Sequence, residues 1–171
     1  MPQTKDLLAR SPRVALALAV LAAVPANAAP LPLDLVDPAN GKSIRVAAGP
    51  LALHVVFFAT WCSPCTAELA DLSDLETRWR EDGYRLVVVA VASRHTAERL
   101  ARHADEHEIP GQFLFDASGA AQRALLADGL PSHVVFDHTG QEVARSGRLD
   151  SGIRDAVAQL VRGAPGGRAR P

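Results

Sequence analysis

Residues 57–65 read FFATWCSPC, so that two residues separate Cys62 from Cys65. The stretch ends a near-continuous apolar run over residues 51–58, which predicts a strand buried on both faces. Beyond the cysteines, leucines and a tryptophan recur at helical spacing with charged residues between them. This pattern predicts a helix that begins near the cysteines and ends before Gly83. The cysteine pair therefore stands where a buried strand turns into a helix.

The start of a helix favours reactive thiols. Free N–H groups and a partial positive charge at a helix N-terminus stabilise a thiolate. We therefore expect Cys62, at the mouth of the helix, to be the exposed nucleophile. Cys65, one turn further in, is close enough to attack a mixed disulfide on Cys62 and release the product. Pro64 suits the first helical turn, because its missing N–H would be unpaired there.

Two other interpretations of a C-x-x-C pair stay open on the residues alone. A zinc site needs further Cys or His ligands, and the sequence has no second C-x-x-C. A permanent structural bridge needs only the two cysteines. The strand before the pair and the helix after it favour reversible redox chemistry over both alternatives.

The first 28 residues have the pattern of a secretory signal peptide. Three basic residues precede an apolar run over residues 14–24, and residues 26–28 read Ala-Asn-Ala, an A-x-A cleavage signal. We predict cleavage near Ala28 and a periplasmic or otherwise exported protein. An uncleaved anchor or an ordinary N-terminal helix is the alternative. Export would bring the cysteines into a compartment where disulfides persist.

Composition predicts one globular domain over residues 29–163. Of 171 residues, 48% are hydrophobic and 22% are charged, which is ordinary for a folded protein. The formal net charge is -1, with no basic stripe interleaved with aromatic residues, so we expect no nucleic-acid partner. We expect a monomer. The tail over residues 164–171 is rich in Gly, Pro and Arg and is predicted to be disordered.

The order of elements predicts an α/β fold, with a central mixed β-sheet flanked by helices on both faces. A turn signal at residues 37–41 separates two short strands that could form a hairpin. The predicted strands cover residues 33–36, 43–46, 51–58, 86–91, 113–115, 134–136 and 142–145. Besides the helix after the cysteines, helices are predicted near residues 97–104, 120–127 and 153–161.

Residues 59–65 resemble the active-site motif of the thioredoxin superfamily, and they are most similar to its exported TlpA/ResA-like branch. The similarity extends from about Leu33 to about Val161. The resemblance implies a thioredoxin-like fold and a thiol:disulfide oxidoreductase. In that family the first cysteine attacks and the second resolves, roles that fall on Cys62 and Cys65. No cofactor is implied beyond this redox-active disulfide, and no metal is assigned.

The resemblance also marks residues around the cysteines. Trp61 and Leu130-Pro131 match positions that face substrate, with Pro131 in a cis-proline loop and Leu130 offering backbone groups to an extended chain. Glu68 matches an acid thought to assist proton transfer near the second cysteine. A solvated helix residue is the alternative for Glu68.

The sequence departs from the family pattern at two positions. Ala70 stands where many members have a proline that kinks the active-site helix, which predicts a straighter helix here. Val56 stands where cytosolic thioredoxins have a buried acid, which leaves Glu68 as the acid. Ser63-Pro64 tunes the redox potential and lacks the histidine of strongly oxidising relatives, which favours a reductase.

The expected activity is reduction of protein disulfides in the cell envelope, with cytochrome c maturation as one family role. Protein thiols and disulfides are the expected partners, and a membrane thiol-electron carrier is the implied reductant. A thiol oxidase or isomerase of the same fold is the first alternative. The second is a copper-binding chaperone that uses Cys62, Cys65 and His133 as soft ligands.

Overall fold

The computed structural model describes residues 31–163. The predicted signal peptide over residues 1–28 and the predicted disordered tail over residues 164–171 lie outside the described residues. Between residues 31 and 163, no helix has the length and apolar character needed to cross a membrane.

A seven-stranded mixed sheet forms the centre of the described structure. Its strands are β1 (Leu33–Val36), β2 (Ser43–Val46), β3 (Ala52–Phe58), β4 (Tyr84–Val91), β5 (Gln112–Asp116), β6 (Ser132–Asp137) and β7 (Glu142–Ser146). They lie in the order β2-β1-β5-β4-β3-β6-β7. β3 pairs in parallel with β4 and antiparallel with β6. Because β3 is central and covered on both faces, all of its residues are buried, as the apolar run predicted.

The helices are α1 (Ser63–Ala67), α2 (Leu69–Trp79), α3 (Ala97–Glu106), α4 (Ala120–Ala124) and α5 (Ser151–Arg162). α2 packs against β4, α3 against β5, and α5 against β3, β6 and β7. The apolar positions of α2 and α5, such as Leu72 and Val157, join the buried side of the sheet in one core. The predicted fold class, an α/β thioredoxin-like fold with a mixed sheet, is confirmed.

The helix after the cysteines is interrupted, so the prediction of a straighter helix is wrong. The break falls at Glu68, between α1 and α2, although residue 70 is alanine rather than proline. The N–H of Glu68 donates to the carbonyl of Cys65 at 3.3 Å, three residues back, where a regular α-helix would use the fourth. Tertiary hydrogen bonds of the Glu68 side chain, described below, hold this residue on the sheet side.

A glycine ends the helical segment where the sequence predicted. Gly83 has φ of 92°, in the left-handed region, and it follows a 3₁₀ turn over Arg80–Asp82. A Cβ atom at Gly83 would lie 2.9 Å from Cγ of Leu51. The close approach and the positive φ together require glycine at this position.

Candidate active site

The two cysteines lie at the start of α1, directly after the central strand β3. Cys62 is the N-cap residue of α1, and the backbone N–H of Cys65 donates to its Sγ at 3.3 Å. The two sulfur atoms form a disulfide, and the two Cα atoms are 5.3 Å apart. An N–H group aimed at the sulfur stabilises negative charge there, so the arrangement suits a thiolate on Cys62 in the reduced form.

The prediction that Cys62 is exposed is wrong for the disulfide form. Cys62 is 5% exposed and Cys65 is 2% exposed. The reason is local geometry: the Cys62 sulfur is bonded to Cys65 and accepts that residue's N–H, so it turns toward the helix rather than toward solvent. The first cysteine remains the more exposed of the two.

Trp61 forms the exposed side of the site, with 48% of its surface open to solvent. Its indole Nε1–H donates to the carbonyl oxygen of Ser93 at 3.3 Å. The guanidinium of Arg94 lies 5.6 Å from the ring centroid, within the range of a cation–π contact. Trp61, the residue directly before Cys62, is therefore accessible from solvent.

A histidine that sequence reasoning missed supports the loop before the cysteines. Nδ1 of His95 lies 2.8 Å from the carbonyl of Val91, which makes Nδ1 the protonated nitrogen. Its Nε2 then accepts from the hydroxyl of Thr60 at 3.0 Å and from the N–H of Thr60 at 3.3 Å. No spacing in the sequence signals this contact, because His95 follows the next strand of the sheet.

The cis-proline loop lies at the same end of the sheet as the cysteines. The Leu130–Pro131 peptide bond is cis, as the resemblance implies. β6 begins at Ser132, which pairs with Phe57 near the end of β3. Since the active-site loop also leaves the end of β3, the register brings Leu130 and Pro131 to the edge that carries Trp61 and Cys62.

Glu68 is engaged by tertiary contacts rather than solvated. Its side chain is 20% exposed, and Oε2 lies 2.9 Å from Nε2 of His133. Its other oxygen, Oε1, accepts the backbone N–H of Leu149 at 3.0 Å. Both carboxylate oxygens therefore have fixed partners at the point where α1 and α2 meet.

A hydrogen-bonded chain continues from His133 into the core. Nδ1 of His133 lies 3.1 Å from Nε2 of His54, and Nδ1 of His54 lies 2.8 Å from the hydroxyl of Tyr84. Both histidines are 0% exposed. The chain runs across three adjacent strands, because Val56 of β3 pairs with His133 of β6 and Ala52 of β3 pairs with Tyr84 of β4.

Sequence reasoning missed His54 and Tyr84 as members of this network. The signal for His54 was present, because a histidine inside a strand predicted to be buried on both faces must find a hydrogen-bond partner. The identity of that partner is set by strand pairing, which the sequence does not display.

Burial controls the charge of these groups. Burial, and then the neighbouring His133, lower the pKa of His54 well below its usual value. Burial also lowers the pKa of His133, against the opposing effects of Glu68 and Asp150. Burial, and then the charge of Glu76, raise the pKa of Tyr84. At neutral pH both imidazoles are therefore neutral and the phenol keeps its proton.

The copper alternative lacks a free third ligand. Both ring nitrogens of His133 are occupied, one by Glu68 and the other by His54. Within residues 31–163, no group of three or more His, Cys, Asp or Glu side chains is placed to hold a metal ion.

The fold and the site together define a thioredoxin-fold protein, with a C-x-x-C disulfide at a helix N-terminus and a cis-proline loop at the same edge of the sheet. Residues 36–144 match the family model described as AhpC/TSA family. The chain therefore belongs to the AhpC/TSA family.

Named proteins are similar to this chain in sequence or in structure. The thiol-disulfide oxidoreductase ResA of Oceanobacillus iheyensis is 24% identical over 109 residues, which covers 60% of this chain and 56% of that protein. A secreted Mycobacterium tuberculosis disulfide oxidoreductase, homologous to E. coli DsbE, is 17% identical with a TM-score of 0.61 over 79% of this chain and 98% of that one. The exposed lipoprotein thioredoxin Etrx1 of Streptococcus pneumoniae is 19% identical with a TM-score of 0.62 over 78% and 100%. These two structures support the fold.

Proposed function

We propose that this protein is a thiol:disulfide oxidoreductase with Cys62 and Cys65 as its redox pair. The observation that carries the proposal is the hydrogen bond from the N–H of Cys65 to the Sγ of Cys62, at the N-terminus of α1. That contact stabilises the thiolate that attack requires. The similarity to ResA of Oceanobacillus iheyensis supports the same activity.

The reaction exchanges one disulfide for another. The Cys62 thiolate attacks one sulfur of a substrate disulfide, so that a mixed disulfide forms and one substrate thiolate leaves. The Cys65 thiolate then attacks the Cys62 sulfur, which closes the Cys62–Cys65 disulfide and releases the second substrate thiolate. Substrate gains two electrons and two protons. In this proposal Glu68 accepts the proton of Cys65, Trp61 contacts substrate, and the backbone of Leu130-Pro131 receives the extended chain.

The proposed direction is reduction of protein disulfides in the cell envelope. The chain carries an N-terminal export pattern, and one structural neighbour is described as secreted. Since disulfides persist outside the cytosol, a reductase there needs an electron source, which we assign to a membrane thiol-electron carrier. Haem-attachment cysteines of c-type cytochromes are one substrate class for such an enzyme.

The redox potential separates a reductase from an oxidase or isomerase. Equilibration of the Cys62–Cys65 couple with a dithiothreitol or glutathione series gives this potential. Ser63-Pro64 predicts a value closer to thioredoxin, about -270 mV, than to the strong oxidant DsbA, about -120 mV. A value near that of DsbA would reverse the proposed direction and leave the activity itself intact.

Two cysteine variants test the roles. Cys62→Ser should abolish reduction of a model protein disulfide, since no thiolate is left to attack. Cys65→Ala should accumulate mixed disulfides on Cys62, which non-reducing electrophoresis and mass spectrometry detect. A Cys62→Ser protein that reduced the substrate at the wild-type rate would disprove the assignment.

A further inference from the structure

A groove lined by Thr60 and Trp61, the two residues before Cys62, has an excess of positive charge. The groove has a volume of about 360 Å³, and its lining includes Trp61 and three arginines, Arg94, Arg99 and Arg102. Glu106 is its one acidic residue among the described residues. The arginine side chains are exposed, and within residues 31–163 none of them lies within salt-bridge distance of a carboxylate.

Two other arginines of the surface are paired with carboxylates. Arg145 pairs with Glu142 at 2.7 Å, and Arg154 pairs with Asp71 at 2.8 Å. Unpaired guanidinium groups side by side repel one another, and they present forked donors that match carboxylates. An acidic ligand would relieve the repulsion and satisfy the donors.

Arg94 contacts the tryptophan that directly precedes Cys62. It is a non-glycine residue with φ of 63°, in the left-handed region. Its guanidinium lies against the ring of Trp61 at 5.6 Å, and Trp61 is the residue directly before Cys62. A segment held by these arginines would therefore flank a disulfide that reaches Cys62.

We propose that this groove binds an acidic segment of the protein substrate, next to the disulfide that is reduced. The inference rests on the proposed function and specifies its substrate class. Opposite charges across an interface raise the association rate, and salt weakens the effect. The groove thus selects among envelope disulfides by the charge of their surroundings.

Two matched peptides test the proposal. Each contains the same internal disulfide, flanked either by glutamates or by lysines, and kcat/KM is measured with the reduced wild-type protein. We expect the acidic peptide to be preferred and its advantage to shrink with added salt. Arg99→Gln together with Arg102→Gln should lower kcat/KM for the acidic peptide by about 2- to 5-fold per arginine removed, and leave the lysine peptide unchanged or faster.

The controls separate this proposal from the activity itself. Arg45→Gln, on the exposed edge strand β2, removes a charge far from the cysteines in strand order and should change neither peptide. The neutral disulfide of 2-mercaptoethanol reports the basal activity. Failure to reduce it would overturn the proposed function. If the protein reduced this disulfide but did not discriminate between the two peptides, only the proposal that the groove binds an acidic segment would be overturned.

A small anionic disulfide is the alternative occupant, and the same variants address it. If glutathione disulfide showed the arginine dependence and the acidic peptide did not, the groove would bind a small molecule and the peptide proposal would be wrong.

A second inference rests on the buried chain behind Glu68. With Glu68 ionised, its Oε2 accepts Nε2–H of His133, so Nδ1 of His133 must accept Nε2–H of His54. Nδ1 of His54 then accepts a hydrogen bond from the hydroxyl of Tyr84. This polarity gives every contact one donor and one acceptor. No side-chain nitrogen or oxygen of this hydrogen-bonded chain is therefore buried without a partner; among the described residues, the one such atom is an oxygen of Asp82, which is not part of the chain.

We infer that His133 is a positioning residue for Glu68, with His54 and Tyr84 holding it in the tautomer that donates. The ionisable groups that face this chain are Asp150, at the start of α5, and Glu76 of α2. A fixed donor holds the carboxylate in one place, and the proposed function assigns it the proton of Cys65.

The pH profile of mixed-disulfide resolution tests this role. His133→Leu removes the donor, so the acid limb of the rate profile should move to higher pH by about one pH unit. His133→Gln can both donate to Glu68 and accept from His54, and it should restore much of the wild-type limb. Glu68→Gln should abolish the limb, and adding His133→Leu to it should then change nothing further.

A purely structural role gives different results. In that case both His133 variants would lower the rate by one factor at every pH and leave the limb in place. That outcome would overturn the inference. If the leucine variant does not fold, the pH profile of the glutamine variant alone is enough to show it.

Discussion

Replacement of Tyr84 by phenylalanine isolates one hydrogen bond of the buried chain. The change deletes only the hydroxyl, which lies 2.8 Å from Nδ1 of His54. His54 is fully buried, so no water can replace the lost donor and Nδ1 is left as an unsatisfied acceptor. An unsatisfied buried polar group costs about 1–3 kcal/mol. The aromatic ring stays, so packing changes little.

Urea unfolding with the disulfide intact measures the effect. We expect the free energy of unfolding to fall by about 1–3 kcal/mol with an unchanged m-value, since the surface exposed on unfolding is the same. Two tryptophans in different surroundings report the transition, because Trp79 is buried and Trp61 is exposed.

A double-mutant cycle ties the cost to His54. In a His54→Leu background the acceptor is absent, so Tyr84→Phe should cost less than about 0.5 kcal/mol. The reasoning is refuted if Tyr84→Phe leaves stability unchanged in the wild-type background. It is equally refuted if the substitution costs the same with and without His54.

Two further predictions concern pH and glycine. The folded protein holds His54 and His133 neutral with lowered pKa values, so their contribution is present above about pH 6.5 and is lost as pH falls below it, where the unfolded chain takes up protons. The free energy of unfolding should fall by up to about 1.4 kcal/mol per pH unit for each histidine, and equal urea midpoints at pH 7.5 and 5.5 would contradict this. Gly111→Ala should destabilise strongly, because φ is +70° and a Cβ would lie 2.6 Å from the carbonyl oxygen of Leu86. The control is Gly41→Ala, where φ is +72° and a Cβ meets nothing within 4 Å. If Gly41→Ala lowered the melting temperature as much as Gly111→Ala does, the steric explanation would be ruled out.

Most of the strands and helices were predicted from the local sequence pattern. β1 and β2 have the predicted bounds, and the observed strand Tyr84–Val91 extends the predicted one by two residues. α5 lies where a helix was predicted, and its N-cap is Asp150, whose carboxylate accepts the N–H of Ile153 at 3.1 Å. These features depend on neighbours in the chain, which is why the sequence displays them.

The environment of the site was predicted less well from the sequence. The exposure of Cys62 depends on its bond to Cys65, and the helix break at Glu68 occurs without the proline that signals one. Tertiary contacts override the helical preference of a single residue at a low cost. The same contacts decide that Glu68 is held rather than solvated.

The sequence by itself determined the redox pair on which the proposed function rests, because a C-x-x-C pair between a buried strand and a helix needs only local spacing. It also marked Trp61 and the Leu130-Pro131 loop as candidate substrate contacts, through a motif resemblance. Only the tertiary structure joined Glu68, His133, His54 and Tyr84 into one chain, and brought the arginines of α3 beside Trp61. Those contacts come from strand register and helix packing between distant parts of the chain, and burial then gives them their strength, since a buried polar group must be paired.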